Sequence, residues 1–210
     1  MAEAIAAPTR GAAEVAGPPG APAIERPAFE IVPRRGVVIV AVIFALLVWA
    51  IAANKTWPVE LAHVGGGAAW TILDLFMGLI IGPILGKLSV PARIELTTRL
   101  MPKLLLIMPT VVTLTLAGGW QLGTIKGTVY SASPAHSWIV ASYIIVGIMA
   151  VIALGLLEPA NVAVLFELKK PQPNPEVIER LMKRFIFTAG ATGLMQIATL
   201  VIMTKVAGFQ

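Results

Sequence analysis

One carboxylate, two imidazoles and an indole hold most of the chemistry this sequence can offer. Asp74 is the sole aspartate, and it falls with His63 inside an otherwise uncharged run over residues 61–86. On a helix of 3.6 residues per turn, Trp70 lies about 20° from His63, Asp74 about 20° to the other side and Met77 about 40° away. One narrow stripe thus carries an imidazole, an indole, a carboxylate and a thioether. His63 and Asp74 stand about 16 Å apart along such a helix. An ionisable group at hydrocarbon depth faces a bundle interior and marks a proton, ion or cofactor site. The alternative is a protonated Asp74, or one capped by a hydroxyl such as Thr110, Thr113 or Thr115, that ties helices together.

The second histidine, His136, opens a later apolar run beside Trp138. Two neutral imidazoles from different helices could ligate both axial positions of a b-type haem, or bind copper. Glu60, one turn before His63, is then a candidate partner for orienting the ring. Alternatively, each histidine is an interfacial polar residue in contact with water. Gly65-Gly66-Gly67 lies between His63 and Trp70. Glycine costs helix stability, so something approaches closely there, either another helix or the flat edge of a cofactor, with Gly66, Gly67 and Trp70 lining it. Gly78, Gly82 and Gly86 form a Gly-x-x-x-Gly-x-x-x-Gly ridge, a helix-packing face within one chain or between two. The methionines are scattered, without the clusters that soft Cu(I) favours, and helix packing suits them better. No phosphate-binding glycine loop, His-Glu-x-x-His or Gly-x-Ser-x-Gly occurs, which removes those catalytic classes.

The elements that must position these residues are membrane spans. Of 210 residues 57% are hydrophobic and 13% charged, about half the charge a soluble domain carries. The absence of cysteine excludes disulfides, thiolate metal sites, iron–sulfur clusters and c-type haem attachment. Five uncharged or nearly uncharged runs, at about 36–53, 61–86, 104–125, 137–157 and 185–204, are long enough to cross about 30 Å of hydrocarbon as helices. The expected fold is an all-α polytopic membrane bundle of five transmembrane helices.

The 16 Lys and Arg residues divide by segment as 4, 1, 4, 1, 5 and 1 from the N-terminus. Cytoplasmic loops hold the basic excess, which predicts N-in/C-out and assigns the basic residues to topology and not to nucleic acid. Trp49, Trp57, Trp120 and Trp138 all fall at the predicted outer boundary, where indoles prefer to sit. Residues 1–35 are rich in Ala, Pro and Gly without apolar period, which predicts a disordered cytoplasmic tail. A rival is a signal peptide cleaved after the first apolar run, but its positively charged region would be unusually long. In the fourth loop Asn174-Pro175 reads as an N-cap and first helical position, with Glu176–Arg180 and Glu179–Lys183 pairs beyond it. Pro83 and Pro109 are expected to kink their helices.

The stretch from Leu61 through His63, Gly65-Gly66-Gly67 and Trp70, followed by Gly82-Pro83, Pro91-Ala92-Arg93 and Leu116-Ala117-Gly118-Gly119-Trp120-Gln121-Leu122, resembles the copper-resistance protein D superfamily, in its uncharacterised bacterial integral-membrane branch. The resemblance covers about residues 59–125; the rest matches only in span layout. It implies a compact helical bundle in the bacterial inner membrane and copper handling or b-haem binding, with His63 at the family histidine. Met-rich outer motifs and a second ligand of the oxidase relatives have no match. Three functions follow as expectations: an electron-transfer or copper-handling protein with a histidine site for haem or copper; a non-catalytic membrane subunit packing as a homo-oligomer or within a larger respiratory or transport complex; and a small transporter using Asp74.

Overall fold

The computed structural model describes residues 29–209, and every regular element in them is helical. Five helices are long and apolar enough to cross a membrane: α1 (Arg34–Ala53), α2 (Thr56–Lys87), α3 (Val90–Ile125), α4 (His136–Lys169) and α5 (Pro175–Ala207). Of the expected tail, residues 1–28 lie outside the described residues. Phe29 and Ile31 pack against the core, Lys169 Nζ stands 5.2 Å over the Phe29 ring, and α1 begins at Arg34.

The helices outrun the spans. The 36 residues of α3 are about 54 Å long at 1.5 Å per residue, against about 30 Å of hydrocarbon. The charged stretches before residue 104 and after residue 157 are therefore helix and not loop. The helical period continues through the charges: Ile94, Thr97, Thr98, Met101, Leu104 and Met108 are all buried on one side of α3. Together the 90–103, 158–169 and 175–184 segments prolong the bundle at the predicted inner end, with Val164, Leu165, Leu168, Ile178 and Met182 in its core. Arg93 ties this end together. Its Nε and Nη2 donate to the Leu85 and Leu88 carbonyls at the end of α2, and its Nη1 donates to Glu179 of α5 at 2.9 Å. Asn174 Oδ1 caps α5 by accepting from Glu176 N at 2.9 Å and Val177 N at 3.4 Å.

Two helices contain a widened π-turn, each followed within two residues by proline. In α2 the segment Phe76–Ile81 precedes Pro83, and Gly82 N–H reaches back five residues to Met77 O. In α4 the segment Ala153–Leu157 precedes Pro159, and Glu158 N–H reaches Ala153 O. A proline ring clashes with the carbonyl four residues earlier and offers no N–H to it; the wider turn relieves both faults. Pro102 and Pro109 sit inside regular α-helix.

At the predicted outer end Trp49, Trp57 and Trp120 are more than half exposed, whereas Trp70 is buried in the core. Asn54, left-handed at φ 49°, ends α1, and its Oδ1 accepts from Gln121 Nε2 at 2.8 Å. Met77, Met101, Met108, Met149 and Met182 are all buried, filling gaps between helices as a flexible thioether does.

Candidate functional site

The stripe on α2 divides between two neighbours. Its first half faces α3. His63 Nδ1 lies 2.8 Å from the Thr115 carbonyl; a carbonyl only accepts, so Nδ1–H is the donor. This contact exists because Gly118 and Gly119 have no side chain. A Cβ on Gly119 would stand 2.7 Å from His63 Nδ1, and one on Gly118 3.0 Å from His63 N. Gly66 lets α2 and α3 close up in the same way, since its Cβ would meet Leu114 Cβ at 2.8 Å. Gly67 would meet Thr115 Cγ2 at an ordinary 3.5 Å, and Gly65 faces open space. Glu60 serves another partner: Lys126 Nζ lies 3.5 Å from its Oε1, while Thr115 O orients the imidazole.

Beside His63 is a cavity of about 70 Å³, lined also by Lys126, Thr128, Ser142 and Tyr143. Tyr143 stacks on Trp120 with centroids 5.7 Å apart, and its buried hydroxyl has no partner among the described residues. A polar chamber of this size admits water. Cofactor pockets are typically about 300–1,000 Å³. His136, at the start of α4, does not line the chamber, and its Nδ1 is buried without a partner among the described residues. The residues therefore do not fit a bis-histidine haem. No group of three or more His, Asp or Glu that could hold a metal ion occurs among the described residues; Met203 lines the chamber with His63, whereas Met77, Met101, Met108, Met149 and Met182 are buried in the core.

The second half of the stripe faces α5. Asp74 is 1% exposed. Its Oδ2 accepts from Thr192 Oγ1 and from Gln196 Nε2, both at 2.8 Å. Thr192 and Gln196 are one turn apart on α5 and present one polar face. Trp70, one turn before Asp74, lies beside the carboxylate with its indole N–H short of hydrogen-bond geometry. Asp74 Oδ1 and Gln196 Oε1 are buried without a partner among the described residues. The cluster thus has two donors converging on one oxygen, with two acceptors and one donor, the Trp70 indole N–H, left over among the described residues.

The threonines expected to cap Asp74 do not. Thr110, Thr113 and Thr115 each donate to the carbonyl four residues earlier on α3, those of Leu106, Pro109 and Val111. The true partners were marked in the sequence by Thr192 and Gln196 at i and i+4 within the last apolar run. Asn161 gave a similar signal: it is fully buried in α4, and neither side-chain polar atom is bonded.

Immediately below Asp74 the glycine ridge meets α5. A Cβ on Gly78 would stand 2.5 Å from Gly190 Cα, and one on Gly82 2.5 Å from Ile186 Cγ2. Gly193 takes the Leu75 side chain and backbone in the same manner. Gly86 has nothing within 4 Å of where its Cβ would be. The Asp74 cluster, the π-turn and this close helix approach therefore occupy consecutive turns of one interface. Searches of family models, curated proteins and solved structures find no match to this chain.

Proposed function

We propose that this chain is a multi-pass protein of the bacterial inner membrane, N-terminus inside and C-terminus outside, that works as a small transporter with Asp74 as its proton-exchanging group. The observation that carries this reading is the unbalanced hydrogen bonding at Asp74. A carboxylate only accepts, and among the described residues the pocket leaves two unpaired acceptors, Asp74 Oδ1 and Gln196 Oε1, against one unpaired donor, the Trp70 indole N–H. A proton on Asp74 turns one acceptor into a donor, whereas its loss leaves an uncompensated charge at hydrocarbon depth. Either change alters how strongly α2 holds the Thr192–Gln196 face of α5. The adjoining π-turn is a common feature of functional sites, and it gives α2 a place to bend.

Purified protein in liposomes carrying a pH-sensitive dye tests this. Under an imposed proton gradient the wild type should dissipate it faster than empty liposomes, and Asp74→Asn should match empty liposomes. Equal rates for wild type and Asp74→Asn would overturn the reading. A Soret band in the purified wild type that is absent in His63→Ala would return the function to haem-based electron transfer.

A further inference from the structure

Between α2 and α5 at the predicted inner end runs a groove of about 580 Å³. Its floor is the lower half of the glycine ridge, Gly82 and Gly86, and its walls include Leu79 and Phe187. Its mouth is charged. Glu179 Oε2 takes Arg93 Nη1 at 2.9 Å and its Oε1 takes Lys183 Nζ at 2.7 Å. Two cations thus share one carboxylate, leaving one net positive charge at the end of an apolar channel.

Gly86 gives an independent sign of an occupant. Gly78 and Gly82 are required by α5, but among the described residues nothing comes within 4 Å of a Cβ on Gly86. Glycine there weakens the helix relative to alanine and gains no internal packing. The missing side chain makes room for something other than the described helices. From Gly86 to Gly78 the helix rises about 12 Å, a length of groove that suits an acyl chain.

We propose that this groove binds one anionic phospholipid, with its phosphate at Lys183 and Arg93 and an acyl chain laid across Gly86 and Gly82. Lys183 is 75% exposed at its side chain and is free to turn its remaining N–H donors outward. The Glu179 carboxylate sets the selectivity: it neutralises one of the two cations, so a zwitterionic headgroup, with no net charge, gains little. The inference is independent of the role of Asp74, because neither groove mouth nor floor includes it.

Native mass spectrometry of the detergent-purified full chain, titrated with phosphatidylglycerol or with phosphatidylcholine of the same acyl chains, is the test. One lipid should bind per chain, with phosphatidylglycerol preferred. Lys183→Gln should weaken phosphatidylglycerol by about fivefold, the worth of one lysine at an anionic surface. Gly86→Leu should fill the floor and abolish the one-lipid peak for both headgroups, and Arg180→Gln, a nearby exposed cation outside the groove, should change nothing. Equal binding of the two lipids, or undiminished binding by both Lys183→Gln and Gly86→Leu, would overturn the proposal. So would a dimer of this chain that Gly86→Leu dissociates, since a second copy would then occupy the groove.

Discussion

Gly78 and Gly190 bring α2 and α5 to backbone contact: a Cβ on Gly78 would lie 2.5 Å from the Gly190 Cα. Glycine at 78 permits this approach, whereas a Cβ on Gly190 would stand an ordinary 3.5 Å from Gly78 Cα; the approach places Asp74, one turn above, within reach of Thr192 and Gln196. Small residues at crossing points serve this purpose where lipid supplies no hydrophobic drive between helices.

The ridge therefore contains two kinds of glycine. Gly78→Ala should force the helices apart at a cost of about 1–3 kcal/mol, as overpacking does. Gly86→Ala meets open space and should stabilise by up to about 1 kcal/mol through helix propensity. Thermal unfolding of the two variants in one detergent reads the opposite signs. A shared loss would mean that Gly86 is packed in a way the geometry does not show.

Asp74 and Thr192 should be energetically coupled. Hydrogen bonds between membrane helices average about 0.6 kcal/mol and reach about 1.7 kcal/mol in double-mutant cycles. A cycle of Asp74→Asn and Thr192→Val, followed by steric-trap or denaturant unfolding, should give a coupling in the upper part of that range, because both partners are buried. A coupling near zero would show that Thr192 spends its one proton on the Thr188 or Ala189 carbonyl, each 3.0 Å away.

The number and place of the spans were legible because lipid demands uninterrupted apolar runs, and five such runs fall within α1 to α5. Helix ends were less so. Treating Arg93, Glu95 and Arg99 as loop residues hid the period of Ile94, Thr97 and Met101, which buries the opposite side of the same helix. The helical stripe placed His63 and Asp74 correctly on α2. It could not say that α3 covers one end of the stripe and α5 the other, because that depends on how the helices cross. Glycines 118 and 119 entered only as part of the stretch that carries the family resemblance; their fit against the His63 ring depends on a partner over fifty residues away.

Glu167 supplies a pH-dependent clamp at the end of α4. Lys170 Nζ reaches its Oε2 at 2.6 Å and Asn174 N donates to its Oε1 at 3.0 Å. The bond from Lys170 first, then that from the Asn174 backbone, holds the Glu167 carboxyl below its ordinary value of 4.5. A depressed value means that the folded state binds the proton less readily than the unfolded one. The clamp's contribution is complete above pH 4.5 and is lost as pH falls through the lower, folded-state value. Glu167→Gln should be less stable than wild type at pH 7, and the two melting temperatures should converge as the pH drops below 4.5. A gap that persists at low pH would assign the effect to packing.

The proposed orientation can be read with a single reporter, because the chain has no cysteine to interfere. Ser131 lies exposed between α3 and α4, and Gln172 lies exposed between α4 and α5, at opposite ends of α4. Neither position is inside a helix, so cysteine there leaves the bundle intact. With three basic residues on one side and thirteen on the other, the bias toward N-in is large. Ser131→Cys should react with a membrane-impermeant maleimide in intact cells, whereas Gln172→Cys should react only after the inner membrane is opened. The reverse pattern would invert the topology and move the Lys183–Arg93 groove mouth to the outer leaflet. Labelling of both in intact cells would mean that α4 does not cross the bilayer, and the five-span reading would fall with it.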